Sequence, residues 1–101
     1  MVSHLPDILV LHLKRFNFEQ GYLEKIEDLV TFPLRNLDMS RFMVQGGVRA
    51  NSTSYDLYAV VNHHVFLNGG GHYTAAVQIK TSDDPMWVLT NDSLVSQVSN
   101  P

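Results

Sequence analysis

Tyr55-Asp56-Leu57-Tyr58-Ala59-Val60-Val61-Asn62 leads through His63 into Gly69-Gly70-Gly71-His72-Tyr73-Thr74-Ala75, and this succession decides the fold. The first segment is dense in aromatic and β-branched residues and reads as a strand over Tyr55 to Asn62. Residues 63–71 read as a loop, since three consecutive glycines break any regular element. Tyr73 to Ile79 is the next strand, Thr81-Ser82-Asp83-Asp84-Pro85 a turn, and Met86 to Thr90 a third strand. Asn91 to Ser93 is a loop and Leu94 to Val98 a short terminal element. Neighbouring strands joined by short turns pair antiparallel, so mostly antiparallel sheet is expected.

Toward the N-terminus the pattern is less regular. Met1 to His4 reads as a frayed start, and Leu5-Pro6 opens the first element. Ile8 to Phe16 reads as a strand buried on both faces, with His12 packed inside it. Asn17 to Tyr22 is a turn around Gly21, and Glu24 to Phe32 is its hairpin partner. Pro33 argues against helix there, because the residue before proline avoids the α region. Leu37-Asp38-Met39-Ser40 is a turn or a single helical turn. Gln45 to Ser54 is rich in Gly, Asn, Ser and Thr and reads as a surface loop.

The chain has 101 residues, enough for one small domain or a share of a larger core, and 45% of them are hydrophobic. Charged residues are 17% and the net charge is -3. The longest basic run is Lys14-Arg15, so no nucleic-acid footprint is expected. Ile8-Leu9-Val10-Leu11, the longest aliphatic run, is too short to span a bilayer, so no membrane role is expected. The N-terminus lacks the cationic and apolar regions of a signal peptide, and a cytoplasmic or nuclear location is expected. There is no cysteine, hence no disulfide, no zinc-thiolate site and no thiol nucleophile within the chain.

The chemistry concentrates on His72. A histidine delivered by a glycine run to the start of a strand can face a cleft, and its near-neutral titration suits proton transfer. A catalytic imidazole needs an acceptor on its other nitrogen, and Asn91 or Asp92 supplies one if the strands pair. A turn centred on Asp83 sets Asn91 opposite Ala75, which leaves the His72 contact about three residues out of register and calls for a bulge or wider turn. On their own, the same residues also fit a hairpin loop with an incidental histidine and an ordinary Asn-Asp-Ser turn. His63 and His64 on a strand end point to opposite sides, and no carboxylate or cysteine completes a set with His72, so neither metal nor cofactor is expected. Lys14-Arg15 reads as a solvated strand end or a structural anchor, and Tyr55, Tyr58, Phe66, Tyr73 and Trp87 as core and cleft lining.

Four blocks in order carry a family resemblance. They are Leu5-Pro6-Asp7-Ile8-Leu9-Val10-Leu11-His12-Leu13-Lys14-Arg15-Phe16; Lys25-Ile26 with Val30-Thr31-Phe32-Pro33 and Leu37-Asp38-Met39-Ser40; Tyr55 to His63; and Gly70-Gly71-His72-Tyr73-Thr74-Ala75 followed by Trp87, Asn91-Asp92 and Val95. Together they resemble the C-terminal part of the catalytic domain of the ubiquitin-specific proteases, the papain-like cysteine deubiquitinases. The resemblance implies an α+β, sheet-rich portion of such a domain over residues 1–101, lacking the cysteine box and the zinc-binding cysteines. It implies hydrolysis of isopeptide or peptide bonds at the C-terminal glycine of ubiquitin, with ubiquitin and ubiquitinated proteins as partners. His72 would be the general base, Asn91 its orienter and Asp92 a supporting polar neighbour. Gly69, Gly70, Gly71 and Tyr73 would border the channel for ubiquitin's Gly-Gly tail. The chain alone, without the nucleophile, is expected to be inactive. The alternative is a catalytically dead ubiquitin-binding or scaffold protein of the same descent. Ala76 stands where an aromatic is common, Thr90 where Phe is common, and His64-Val65 where Tyr-Gly is usual.

Overall fold

The computed structural model describes residues 1–19, 21–48, 52–66, 69–80 and 84–101. The chain divides into two compact units, Met1–Asp56 and Leu57–Pro101. Among the described residues the structure is nearly all β. The helical content is one 3-10 turn, Ser40–Phe42, so the mostly antiparallel sheet is present while the α part of the expected α+β class is not.

Among its described residues the first unit holds six short strands: β1 (Val2–His4), β2 (Phe16–Glu19), β3 (Tyr22–Lys25), β4 (Leu37–Asp38), β5 (Met43–Val48) and β6 (Ser54–Tyr55). Its core is small. Leu5, Met39 and Met43 are buried, with Val2, Leu9, Leu37 and Tyr55 packed against them. The expected frayed start is instead β1, which pairs parallel with β5. The expected loop from Gln45 is therefore strand through Val48; Arg49, Ala50 and Asn51 lie outside the described residues. The glycines that suggested a loop serve the pairing. Gly46 sits at φ +76 within a register shift between the two strands, and a Cβ on Gly47 would lie 3.1 Å from the Ser3 carbonyl oxygen.

The doubly buried strand over Ile8 to Phe16 does not form; only Phe16 is in a strand. A strand buried on both faces needs neighbours on its edges and layers above and below. Here Ile8, Val10, Leu11 and Leu13 are exposed, and so is His12. The hairpin is shorter than expected. β2 and β3 pair from Phe16↔Lys25 to Glu19↔Tyr22, with Gly21 at φ +82 in the turn, and Ile26 to Phe32 forms no ladder. Arg15 anchors this segment: its carbonyl accepts from the Ile26 N–H at 2.6 Å, and its guanidinium donates to the Asp28 carbonyl. The segment 37–40 is part strand, part helical turn, as β4 pairs with β6 and the 3-10 turn follows. Asp38 holds the corner: its Oδ1 accepts from the Ser40 N–H at 2.9 Å and the Thr53 hydroxyl at 3.4 Å. The single strand expected over Tyr55 to Asn62 is broken at Asp56, whose carboxylate instead accepts from the Asn36 N–H.

The second unit is one antiparallel sheet of β7 (Ala59–Val65), β8 (Gly71–Lys80), β9 (Pro85–Asn91) and β10 (Leu94–Val98), ordered β10-β9-β8-β7. β8 and β9 contain the expected strands and extend them at both ends, and β10 has the expected bounds. β7 starts at Ala59 rather than Tyr55 and runs on to Val65, so His63, His64, Val65 and Gly71 of the expected loop are strand, paired across the hairpin as His64↔His72 and Val65↔Gly71. The expected turn residues Thr81, Ser82 and Asp83 lie outside the described residues. Among the described residues of this unit, Thr74, Ala76, Trp87 and Val88 are buried.

Candidate functional site

Side chains alternate across a strand, so the ladder decides which residues share a face. β7 pairs with β8 through Asn62↔Thr74 and His64↔His72, and β8 with β9 through Ala75↔Thr90 and Ala76↔Leu89. Asn62, His64, His72, Thr74, Ala76, Leu89 and Asn91 therefore project from one face. Val61, His63, Gly71, Tyr73, Ala75, Val88 and Thr90 belong to the other.

The observed β8–β9 register corrects the one expected from a turn centred on Asp83. With Asn91 opposite Ala75, the asparagine would sit on the face opposite His72, since a one-residue slip turns every side chain over. The actual ladder ends at Ala75↔Thr90, and one more step puts Asn91 across from Thr74. His72 is then the diagonal neighbour of Asn91 on the same face, a spacing that long and aromatic side chains bridge without a bulge. The contact is made: His72 Nε2 lies 2.6 Å from Asn91 Oδ1, both residues half-buried. An amide oxygen carries no proton, so Nε2–H donates, and the neutral ring keeps its basic lone pair on Nδ1. A second diagonal bond lies beside the first, with His64 Nε2 3.0 Å from the hydroxyl of the buried Thr74.

Asp92 has a different place. Asn91 pairs with Leu94, which leaves Asp92 and Ser93 as the turn between β9 and β10. Asp92 is exposed with φ 52, a left-handed conformation that aspartate tolerates better than most residues. Of the two acceptors open in the sequence, Asn91 is the one that meets the imidazole.

The glycine run divides into separate roles. Gly69 has φ +85, and its N–H donates to the Phe66 carbonyl at 3.0 Å. Gly70 accepts from the Phe66 N–H at 2.7 Å. Gly71 already belongs to β8, and a Cβ there would lie 2.6 Å from His63 Nε2. Its missing side chain makes room for the His63 ring on the face opposite His72. Tyr73 is on that opposite face too, exposed, its ring 4.6 Å from that of His63. The structure thus joins His72 to Asn91 and does not bring Asp92 or Tyr73 to them.

One neighbour of His72 was not among the candidate site residues. The Phe66 ring lies 6.5 Å from the imidazole, centroid to centroid, with 21° between the planes. Of the five aromatics expected in core or cleft, Trp87 is buried, Tyr55 is half-buried and donates its hydroxyl to the Pro6 carbonyl, and Tyr58, Phe66 and Tyr73 are exposed. The signal for Phe66 was its even spacing from His64, legible only if β7 is known to run to Val65.

Among the described residues, no group of three His, Cys, Asp or Glu side chains is placed to hold a metal ion. Also among them, no helix is long and apolar enough to cross a membrane.

Comparison with known proteins places these features in a family. The model of the ubiquitin carboxyl-terminal hydrolase family matches residues 1–101. Human ubiquitin carboxyl-terminal hydrolase 19 is 44% identical over 104 residues, covering 97% of this chain and 8% of that protein. Bovine ubiquitin carboxyl-terminal hydrolase 15 is 44% identical over 95 residues, covering 94% of this chain and 10% of its own. Ubiquitin carboxyl-terminal hydrolase 10 of Arabidopsis thaliana is 46% identical over 95 residues, again with 94% and 10% covered. The chain spans no more than 10% of the length of these curated relatives. A match this long and this similar is decisive for descent: the chain belongs to the ubiquitin carboxyl-terminal hydrolase family.

Proposed function

We propose that residues 1–101 are the C-terminal portion of a papain-like deubiquitinase catalytic domain. It hydrolyses isopeptide or peptide bonds at the C-terminal glycine of ubiquitin, on ubiquitinated proteins in the cytoplasm or nucleus. The observation that carries this reading is the bond from His72 Nε2–H to Asn91 Oδ1, 2.6 Å long. It supports a base whose Nδ1 faces a nucleophile while Nε2 is held. The chain has no cysteine, so the thiol comes from a segment outside these residues.

In this reading His72 Nδ1 takes the thiol proton and the thiolate attacks the carbonyl of ubiquitin's last glycine. The imidazolium then protonates the leaving amine as the C–N bond breaks, which leaves a thioester. His72 next removes a proton from water, which attacks the thioester and releases ubiquitin and the thiol. Asn91 keeps the ring in the right tautomer through both half-reactions and stabilises the imidazolium. Gly69 to Gly71 border the path of the Gly-Gly tail, with Tyr73 on the reverse side of the strand and Asp92 supporting the turn. A tail without side chains permits a channel too narrow for other peptides.

The test uses the full-length protein that carries this segment. His72→Ala is expected to abolish hydrolysis of a ubiquitin C-terminal fluorogenic amide while ubiquitin still binds. Turnover retained in that variant refutes the reading. The rival, a catalytically dead ubiquitin-binding or scaffold protein, is motivated by the absence of cysteine in this chain. It predicts ubiquitin binding with no turnover even in the wild-type protein.

A further inference from the structure

Phe66 is held more firmly than an exposed loop residue needs to be. Its N–H donates to the Gly70 carbonyl at 2.7 Å and its own carbonyl accepts from the Gly69 N–H at 3.0 Å. Both backbone groups are thus committed, one residue past the last ladder pair, Val65↔Gly71. This fixes the direction of the Cα–Cβ bond, and the side chain follows the alternation of His64 onto the His72 face. The residue remains 52% exposed, so burial in a core does not account for its position. The position is accounted for by the imidazole, 6.5 Å away and 21° from parallel, within the range in which offset aromatic pairs attract.

A single hydrogen bond at Nε2 leaves one freedom to the His72 ring. It can swing about its side-chain torsions, breaking and remaking the bond to Asn91. A flat apolar neighbour along one side of the ring removes much of that freedom and keeps water off that side. We propose that Phe66 is a positioning residue for His72, holding the imidazole in the rotamer in which Nε2 meets Asn91 and Nδ1 stays open. This inference rests on the proposed role of His72 as general base. It acts through the ring's orientation and makes no contact with the substrate.

The test compares Phe66→Ala, Phe66→Leu and Phe66→Tyr with wild type and His72→Ala in the full-length protein. kcat and KM are read with the ubiquitin fluorogenic amide. A stack of this kind is worth about a 3- to 10-fold preference for one ring orientation. Phe66→Ala is therefore expected to lower kcat by about that factor with KM unchanged, and Phe66→Tyr to restore it. Phe66→Leu, which keeps apolar bulk and loses the flat ring, is expected to fall between Phe66→Ala and wild type in kcat. Nitrogen NMR of the His72 ring supplies a second readout: one tautomer with Nε2–H in wild type and Phe66→Tyr, averaged signals in Phe66→Ala. Wild-type kcat in a folded Phe66→Ala overturns the inference, and so does a KM rise with kcat unchanged, because the ring would then be touching substrate. If His72→Ala itself stays active, the general-base reading fails instead, and the NMR comparison still decides whether Phe66 orders the ring.

Discussion

Replacing Asn91 by alanine removes the acceptor that meets His72 Nε2, and its cost follows from the geometry. The bond is 2.6 Å long, short for a nitrogen donor, and in the proposed mechanism it becomes charge-assisted when the imidazole is protonated. Hydrogen bonds to charged groups contribute roughly 1.5–3 kcal/mol, which corresponds to about a 10- to 150-fold change in rate. His72 and Asn91 are both half-buried, so water can reach the freed N–H and replace part of what is lost. The lower end, about 10-fold, is therefore expected for kcat. The assay is steady-state cleavage of a ubiquitin fluorogenic amide by the full-length protein, with circular dichroism as a check on folding. Asn91→Asp, which keeps an acceptor in place, should retain more activity than Asn91→Ala. Asp92→Asn removes the neighbouring charge and preserves tolerance of φ 52, so it should change kcat little. A folded Asn91→Ala within about twofold of wild type, or an Asp92→Asn that loses more than Asn91→Ala, would refute the assignment of the orienting role to Asn91.

Two further outcomes follow from contacts in each unit. Gly71→Ala forces a Cβ to 2.6 Å from His63 Nε2 and is expected to destabilise by about 1–3 kcal/mol; His63→Ala added to it should relieve most of that, as read by urea unfolding of single and double variants. Asp38 has its carboxyl held below the usual value of 3.8, first by the Ser40 N–H, then by the Ser40 and Thr53 hydroxyls and the Arg41 charge. A lowered folded value means that this contribution is complete above the unfolded value and is lost as pH falls through the lower folded one. The Ser40 amide resonance should therefore titrate with a midpoint below 3.8, and a midpoint at or above it would contradict the assigned bonds.

How much was legible differs between the two units, and the reason is where each gets its partners. In Leu57–Pro101 every described strand pairs with its neighbour in sequence, so alternation and turn residues carried enough information to place β8, β9 and β10, whereas β7 begins at Ala59 rather than Tyr55 and runs into the expected loop. In Met1–Asp56 two of the three strand pairs among the described residues join distant segments, β1 with β5 and β4 with β6. No local pattern announces such pairings. Val2 to His4 looked frayed because its partner lies beyond the Asp38 corner, and Gln45 to Val48 looked like a loop because its glycines serve a close backbone approach. Ile8 to Phe16 misled in the opposite sense. Its apolar run describes what the residues would favour among neighbours; Leu9 finds some in the Leu5, Met39 and Met43 core, while Ile8, Val10, Leu11 and Leu13 stay exposed.

The sequence by itself determined the antiparallel character of the second unit, the histidine at the start of a strand, and the short list of groups able to orient it. Composition and order suffice for that, since side-chain chemistry and strand propensity are local properties. Only the tertiary structure decided that Asn91 and not Asp92 meets His72, that Tyr73 faces away, that Gly71 makes way for His63, and that Phe66 flanks the imidazole. Each of those depends on register. One residue of slip between β8 and β9 leaves every strand in place and moves Asn91 to the other side of the sheet.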